Sequence, residues 1–80
     1  MEHVKILIVE DEPKVAAFVK KGLEENGFLT DIAFDGLMGK ALALNNDYNI
    51  IILDLNLPHI NGFQLCKIIR ESAYKVPILM

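Results

Sequence analysis

The sequence predicts an α/β fold, a parallel β-sheet flanked by helices and laid down as three strand–helix pairs and the start of a fourth strand. Three observations point there. Short apolar runs alternate with segments in which apolar residues recur every three to four positions. The run Ile50-Ile51-Ile52-Leu53 is continuously apolar, as expected of a strand covered on both faces of a parallel sheet. The strand-like runs are separated by helix-length segments, which implies right-handed crossovers rather than hairpins.

The elements follow in order. Val4 to Val9 is apolar except for Lys5 and gives way to Glu10-Asp11-Glu12-Pro13. That is a buried strand, a loop and a helix start, since Pro13 suits a first helical turn where its missing N–H costs nothing. Val15, Phe18, Val19 and Leu23 then recur with helical spacing. Glu24-Glu25-Asn26-Gly27 closes this helix, with Gly27 as its left-handed cap. Phe28 to Phe34 reads as the second strand, interrupted at Thr30-Asp31. Asp35 is placed to N-cap a second helix, with an apolar stripe at Leu37, Met38, Ala41 and Leu42 and an end at Asn45-Asn46-Asp47. Tyr48 to Leu53 carries the third strand, which stops at Asp54. The loop 55–62 leads to a third helix marked by Phe63, Leu65, Cys66 and Ile69 and ending near Ser72. Val76-Pro77-Ile78-Leu79-Met80 opens a fourth apolar run. Met38 and the phenylalanines are expected in the core, as is Cys66 on its helix stripe.

Composition narrows the function. Eighty residues hold one small domain. A chain that is 52% hydrophobic with a net charge of −3 is not a disordered segment. Eight Lys+Arg against 11 Asp+Glu exclude nucleic-acid binding by bulk charge. One cysteine makes no intrachain disulfide, which points to a reducing cytoplasm. No apolar run reaches the roughly 18–20 residues of a membrane span, and Met1-Glu2-His3 does not open a signal peptide. Gly36 and Gly39 belong to no nucleotide-binding fingerprint. His3 and His59 are too far apart in sequence to suggest a metal pair, and His59 reads as a loop residue.

In open parallel sheets, chemistry gathers beyond the carboxyl ends of the strands, where the strand order reverses. The first strand ends in Glu10-Asp11 and the third in Asp54. If those strands are neighbours, three carboxylates meet at one corner. Packed carboxylates repel one another and call for a proton, solvent or a cation. Mg²⁺ is the expected cation, because it prefers oxygen ligands, keeps several waters and pairs one or two carboxylates with phosphate oxygens. A carboxylate can also act as nucleophile and form an aspartyl phosphate. Asp54, at the end of the most apolar strand, is the candidate acceptor. Glu10 and Asp11 are candidate metal ligands, and Asn56 could lend its backbone carbonyl. Glu12 reads as a first-turn helix residue favoured by the macrodipole. Acids at strand ends commonly serve only as caps or solvated loop residues. The gathering of all three at the ends of the two most apolar strands favours the metal-site reading.

The segments Ile6-Leu7-Ile8-Val9-Glu10-Asp11-Glu12-Pro13 and Ile52-Leu53-Asp54-Leu55-Asn56-Leu57-Pro58, followed by Gly62, resemble the receiver domain of bacterial two-component response regulators. The resemblance covers essentially the whole chain and is nearest to receivers attached to winged-helix DNA-binding domains. It implies a flavodoxin-like (CheY-like) fold with strand order 2-1-3-4-5. It implies that Asp54 accepts a phosphoryl group from a phosphohistidine on a sensor histidine kinase. It also implies that Glu10, Asp11, Asp54 and the backbone carbonyl of Asn56 hold Mg²⁺, and that Pro58 and Gly62 shape the loop. Such a module is no enzyme with an external product, although it assists its own phosphorylation. A full receiver has roughly 120 residues. Residues 1–80 are therefore expected to be its N-terminal two-thirds, without the family's fourth-strand Thr or Ser, its fifth-strand Lys or an output domain. Lys75 is not expected to substitute for that Lys. Transcription regulation and DNA contact would fall to the output domain. An apolar edge at Ile78-Leu79-Met80 predicts self-association. The alternative function is a non-switching, receiver-like interaction or dimerisation fragment. A metal-dependent phosphatase is disfavoured, because Asn56 stands where a second Asp would be expected.

Overall fold

The computed structural model describes residues 3–72 and 75–80. Its elements are β1 (Lys5–Val9), α1 (Pro13–Glu25), β2 (Leu29–Ala33), α2 (Gly36–Asn45), β3 (Ile50–Leu53), α3 (Gly62–Glu71) and β4 (Ile78–Leu79). The strands form one parallel sheet in the order β2-β1-β3-β4. The expected alternation holds throughout, with strand ends displaced by one or two residues. The chain steps from β1 to β2 on one side, then crosses back to β3 on the other. Right-handed crossovers in opposite directions place α1 and α2 on opposite faces. The reversal of strand order falls between β1 and β3.

The main core lies on the α2–α3 face. Leu7 and Val9 of β1, Ala33 of β2, and Ile51 and Leu53 of β3 pack there with Ala43, Leu65 and Ile69. Cys66 packs against the same cluster, half-buried, as its place on the helix stripe implies. On the α1 face Ile6 and Ile8 are buried, and Ala16 is the buried residue of α1. Asp35 caps α2 as expected, accepting the Met38 N–H at 2.8 Å. Gly27 takes the left-handed conformation, φ 86°.

Several expectations are corrected. The buried face of α2 is Gly36, Gly39 and Ala43; of the expected stripe Leu37, Met38, Ala41 and Leu42, only Leu42 packs against the core, half-buried. Small residues let the helix backbone approach the sheet closely: a Cβ on Gly39 would stand 3.0 Å from a Val9 methyl and 3.1 Å from a Leu65 methyl. Leu37, Met38 and Leu44 of this almost uniformly apolar helix are then turned outward. In α1 the close approach is made by Ala16, so Val15 is exposed and Phe18 is 78% exposed. Phe63 is 63% exposed because Leu65, Cys66 and Ile69 set the inner face of α3. Phe34 and Met38 are also exposed and Phe28 is half-buried, so neither Met38 nor any phenylalanine lies in the core as expected. β3 is not covered equally on both faces: Ile51 and Leu53 are buried, while Ile50 and Ile52 are only half-buried. Glu12 stands at the N-cap of α1, not in its first turn, and its side chain makes no capping bond.

Candidate functional site

The acidic corner is built on two neighbouring strand ends. Val9 of β1 pairs with Leu53 of β3, so the residues that follow them, Glu10 and Asp54, leave the sheet level with each other. The ladders continue one step past the strands. The Asp54 N–H donates to the Val9 carbonyl at 3.0 Å, and the Glu10 N–H donates to the Ala33 carbonyl at 3.0 Å. Both acids are thereby fixed at the backbone, and the loops begin immediately after them.

The sequence singled out Glu10, Asp11 and Asp54, and the fold brings all three together. One carboxylate oxygen from each lies within 4.8 Å of the others. The Glu12 N–H donates to Glu10 Oε2 at 3.0 Å. The Asn56 N–H donates to Asp54 Oδ1 at 3.1 Å, so the residue expected to offer its carbonyl lies on the same turn as the acceptor. Partial burial raises the Glu10 carboxyl above its ordinary value of 4.5. The neighbouring Asp54 charge and hydrogen bonds shared with Asp11 and Asp54 push it the same way, and the Glu12 N–H opposes them. Glu10 thus holds a proton more readily than a free glutamate. The N-terminus of α1 begins two residues past Asp11, and its positive dipole end favours negative charge nearby.

The donor set fits a hard divalent cation. With metal–oxygen distances of about 2.1 Å, two ligands of one Mg²⁺ lie at most roughly 4.2 Å apart. Oxygens already within 4.8 Å need only a small inward rotation to meet that limit. No strong σ-donor of nitrogen or sulfur belongs to the cluster, which suits Mg²⁺ over zinc or copper.

The loop 54–61 is clasped at its base. The Gly62 N–H donates to the Leu55 carbonyl at 3.1 Å. A Cβ on Gly62 would lie 2.6 Å from the Asp54 carbonyl oxygen and 2.7 Å from Leu55 Cα, so only glycine fits there. Asn61 and Gln64 form a capping box that starts α3 firmly. Pro58 and His59 lie on the exposed part of the loop, and His59 has φ 68°. Sequence reasoning missed the seat of this loop, where Ile60 rests against Gly36 at the start of α2. The available signal was a glycine directly after the capping Asp35, where most helices carry a side chain.

Comparison with known proteins follows the same lines. Residues 6–80 match the family model of the response regulator receiver domain. The chain is 46% identical over 77 residues to the transcriptional regulatory protein CusR of Escherichia coli K12, covering 96% of this chain and 34% of that protein. It is 48% identical over 76 residues to the response regulator ArlR of Staphylococcus saprophyticus, covering 95% of this chain and 34% of that one. It therefore spans about a third of the length of these curated relatives. Among solved structures, the chemotaxis response regulator CheY4 of Vibrio cholerae superposes with a TM-score of 0.96 at 31% identity, over 99% of this chain and 68% of that one. TrrA of Thermotoga maritima, solved in complex with Mg(2+)-BeF, superposes with a TM-score of 0.89 at 31% identity, over 94% and 65%.

Proposed function

The chain belongs to the response regulator receiver domain family, and from that premise we propose that Asp54 is its phosphoacceptor and that Glu10, Asp11, Asp54 and the Asn56 carbonyl are its Mg²⁺ site. The observation that carries this reading is the meeting of three carboxylates within 4.8 Å at the point where the strand order reverses. The complex of TrrA with Mg(2+)-BeF supports the choice of cation.

The residues divide the task. Asp54 is held by its backbone on the Val9 carbonyl, and the Asn56 N–H orients its Oδ1. Its carboxylate attacks the phosphorus of a phosphohistidine on a sensor histidine kinase. A P–O bond forms, the P–N bond breaks, and the imidazole leaves. Glu10 and Asp11 hold the cation, which when bound offsets the negative charge gathered at the acceptor. The module thus assists its own phosphorylation without releasing an external product.

The wider assignment follows the relatives. Residues 1–80 correspond to the N-terminal two-thirds of a receiver, acting in the cytoplasm. DNA contact and transcription regulation fall to an output domain, a reading supported by the likeness to the transcriptional regulatory protein CusR. No helix among the described residues is long and apolar enough to cross a membrane. For residues 1–80 taken by themselves, self-association is assigned to the β4 edge, where Leu79 and Met80 are exposed. Sedimentation of wild type against Leu79→Lys tests it, and a wild type that stays monomeric at high concentration refutes it.

The acceptor assignment is tested by intact mass after incubation with Mg²⁺ and a small acyl phosphate. A single phosphoryl adduct is expected on wild type and none on Asp54→Asn. An adduct of equal yield on Asp54→Asn would refute it. A folded wild type without adduct would favour a receiver-like scaffold that does not switch.

A further inference from the structure

The acceptor loop rests on a second helix through a contact between backbones. Gly36 is the first residue of α2. A Cβ placed on it would stand 2.5 Å from the Ile60 carbonyl oxygen, 2.7 Å from Ile60 Cβ and 3.2 Å from the Ile60 carbonyl carbon. Backbone atoms cannot rotate out of the way as a side-chain end can. Ile60 also closes the tightest turn of the loop. Its N–H donates to the Pro58 carbonyl at 2.8 Å across His59, whose φ is 68°. A hydrogen bond spanning two residues with positive φ at the centre is a strained γ-turn, and such conformations persist only where the surroundings impose them. Three restraints are at hand: Leu57, buried in the main core just before the turn, the packing of the Ile60 side chain against that core, and the seat of the Ile60 backbone on Gly36. With Gly62 clasping the base, the segment carrying Asp54 and Asn56 is fixed at both ends.

We infer that Gly36 is a positioning residue for the acceptor site: by admitting the Ile60 backbone against α2, it holds the 54–62 loop in the shape that presents Asp54 and the Asn56 carbonyl to Mg²⁺. The inference rests on the metal assignment above and not on phosphoryl acceptance by Asp54. It separates Gly36 from Gly39 on the same helix. Gly39 is also tightly packed, but its neighbours are methyl groups of Val9 and Leu65 at 3.0–3.1 Å, which can yield. An added methyl at position 36 displaces the loop backbone, whereas one at position 39 displaces core side chains.

The test compares wild type, Gly36→Ala, Gly39→Ala and Ile60→Gly. Mg²⁺ affinity is measured by calorimetry with the metal alone, and the adduct rate is measured with a small acyl phosphate across Mg²⁺ concentrations. Gly36→Ala should lose about tenfold or more in Mg²⁺ affinity, the range typical of groups that orient metal ligands, while Gly39→Ala stays within about twofold of wild type. The adduct rate of Gly36→Ala should recover at saturating Mg²⁺. Wild-type affinity in Gly36→Ala, an equal loss in Gly39→Ala, a loss of rate with unchanged Mg²⁺ dependence, or a wild type that binds no Mg²⁺ would each overturn the inference. Should Gly36→Ala fail to fold, Ile60→Gly loosens the same seat from the loop side, and unchanged Mg²⁺ affinity there overturns it equally. If wild type forms no adduct yet Gly36→Ala alone binds Mg²⁺ more weakly, the acceptor assignment falls and the role of Gly36 stands.

Discussion

Replacing Asp54 with Asn removes one charge from the acidic corner and leaves its shape intact. The new amide oxygen can still accept the Asn56 N–H now held by Asp54 Oδ1 at 3.1 Å, so the turn survives. Oxygens of Glu10, Asp11 and Asp54 lie within 4.8 Å of one another. Two unit charges at that separation repel by about 1 kcal/mol in a water-like medium and by about 3.5 kcal/mol at an effective dielectric constant of 20. Glu10 and Asp54 are only half-buried, so the weaker, screened figure applies. Asp54→Asn should therefore raise metal-free stability at neutral pH by about 1 kcal/mol, a shift of roughly 4–8 °C in Tm for a domain of this size. Thermal melts followed by circular dichroism in chelator and low salt would measure it. The gain should shrink as salt screens the charges. It should vanish at pH well below the carboxylate range, where Glu10 and Asp54 are neutral. Added Mg²⁺ should reverse the order, because wild type gains binding energy that the variant cannot. A variant that melts no higher than wild type in low salt without metal would refute the reasoning. So would a gain that persists unchanged in acid.

Three further outcomes follow from the same geometry. Asp11→Ala should weaken Mg²⁺ binding by at least about tenfold, read by calorimetry, and unchanged affinity would remove Asp11 from the ligand set. Because the Glu10 pKa is raised in the folded chain, the native state keeps a proton that the unfolded chain releases. Metal-free stability should then fall as pH rises from 4.5 through the raised value, and Glu10→Gln should flatten that slope in denaturant titrations; an equally steep slope in the variant would count against this account. Asp35→Ala removes the cap on the Met38 N–H and should cost about 1 kcal/mol, whereas an unmoved denaturation midpoint would show that the cap contributes nothing.

The residues that the sequence reveals are those whose role depends on local pattern. Val4 to Val9 and Ile50 to Leu53 announce strands by continuous apolarity, and the acids that end them announce where the chemistry falls. Asp35 announces a cap because its side chain acts on its own helix. What remained hidden depends on distance between elements. In α2, apolar residues lie all round the helix, so periodicity could not say which face is buried. The answer came from Gly36, Gly39 and Ala43, whose small size allows close approach to the sheet and the loop. Phe18 and Phe63 misled because burial went to other positions, the small Ala16 in α1 and Leu65 with Ile69 in α3. The seat of Ile60 on Gly36 joins residues far apart in sequence through backbone atoms, and the sequence marks it only by the glycine that follows Asp35.

The acidic corner sets stability against function. Glu10 and Asp54 are fixed by ladder hydrogen bonds on adjacent strands, so they cannot relieve their repulsion by moving apart at the backbone. The fold tolerates this because the strands beneath carry fully buried side chains, Leu7, Ile8, Val9, Ile51 and Leu53, none more than 2% exposed. The strain in the adjoining loop, at His59, is likewise held by the core through Ile60. Repulsion that a side-chain shift could dissipate would offer a cation little. Repulsion built into a rigid ledge is returned when the cation binds, and so adds to its affinity. The stability gained by Asp54→Asn and the metal affinity lost with it are therefore two measures of one interaction. They should rise and fall together when salt or pH is varied, and independent variation of the two would separate the corner's stability from its binding of metal.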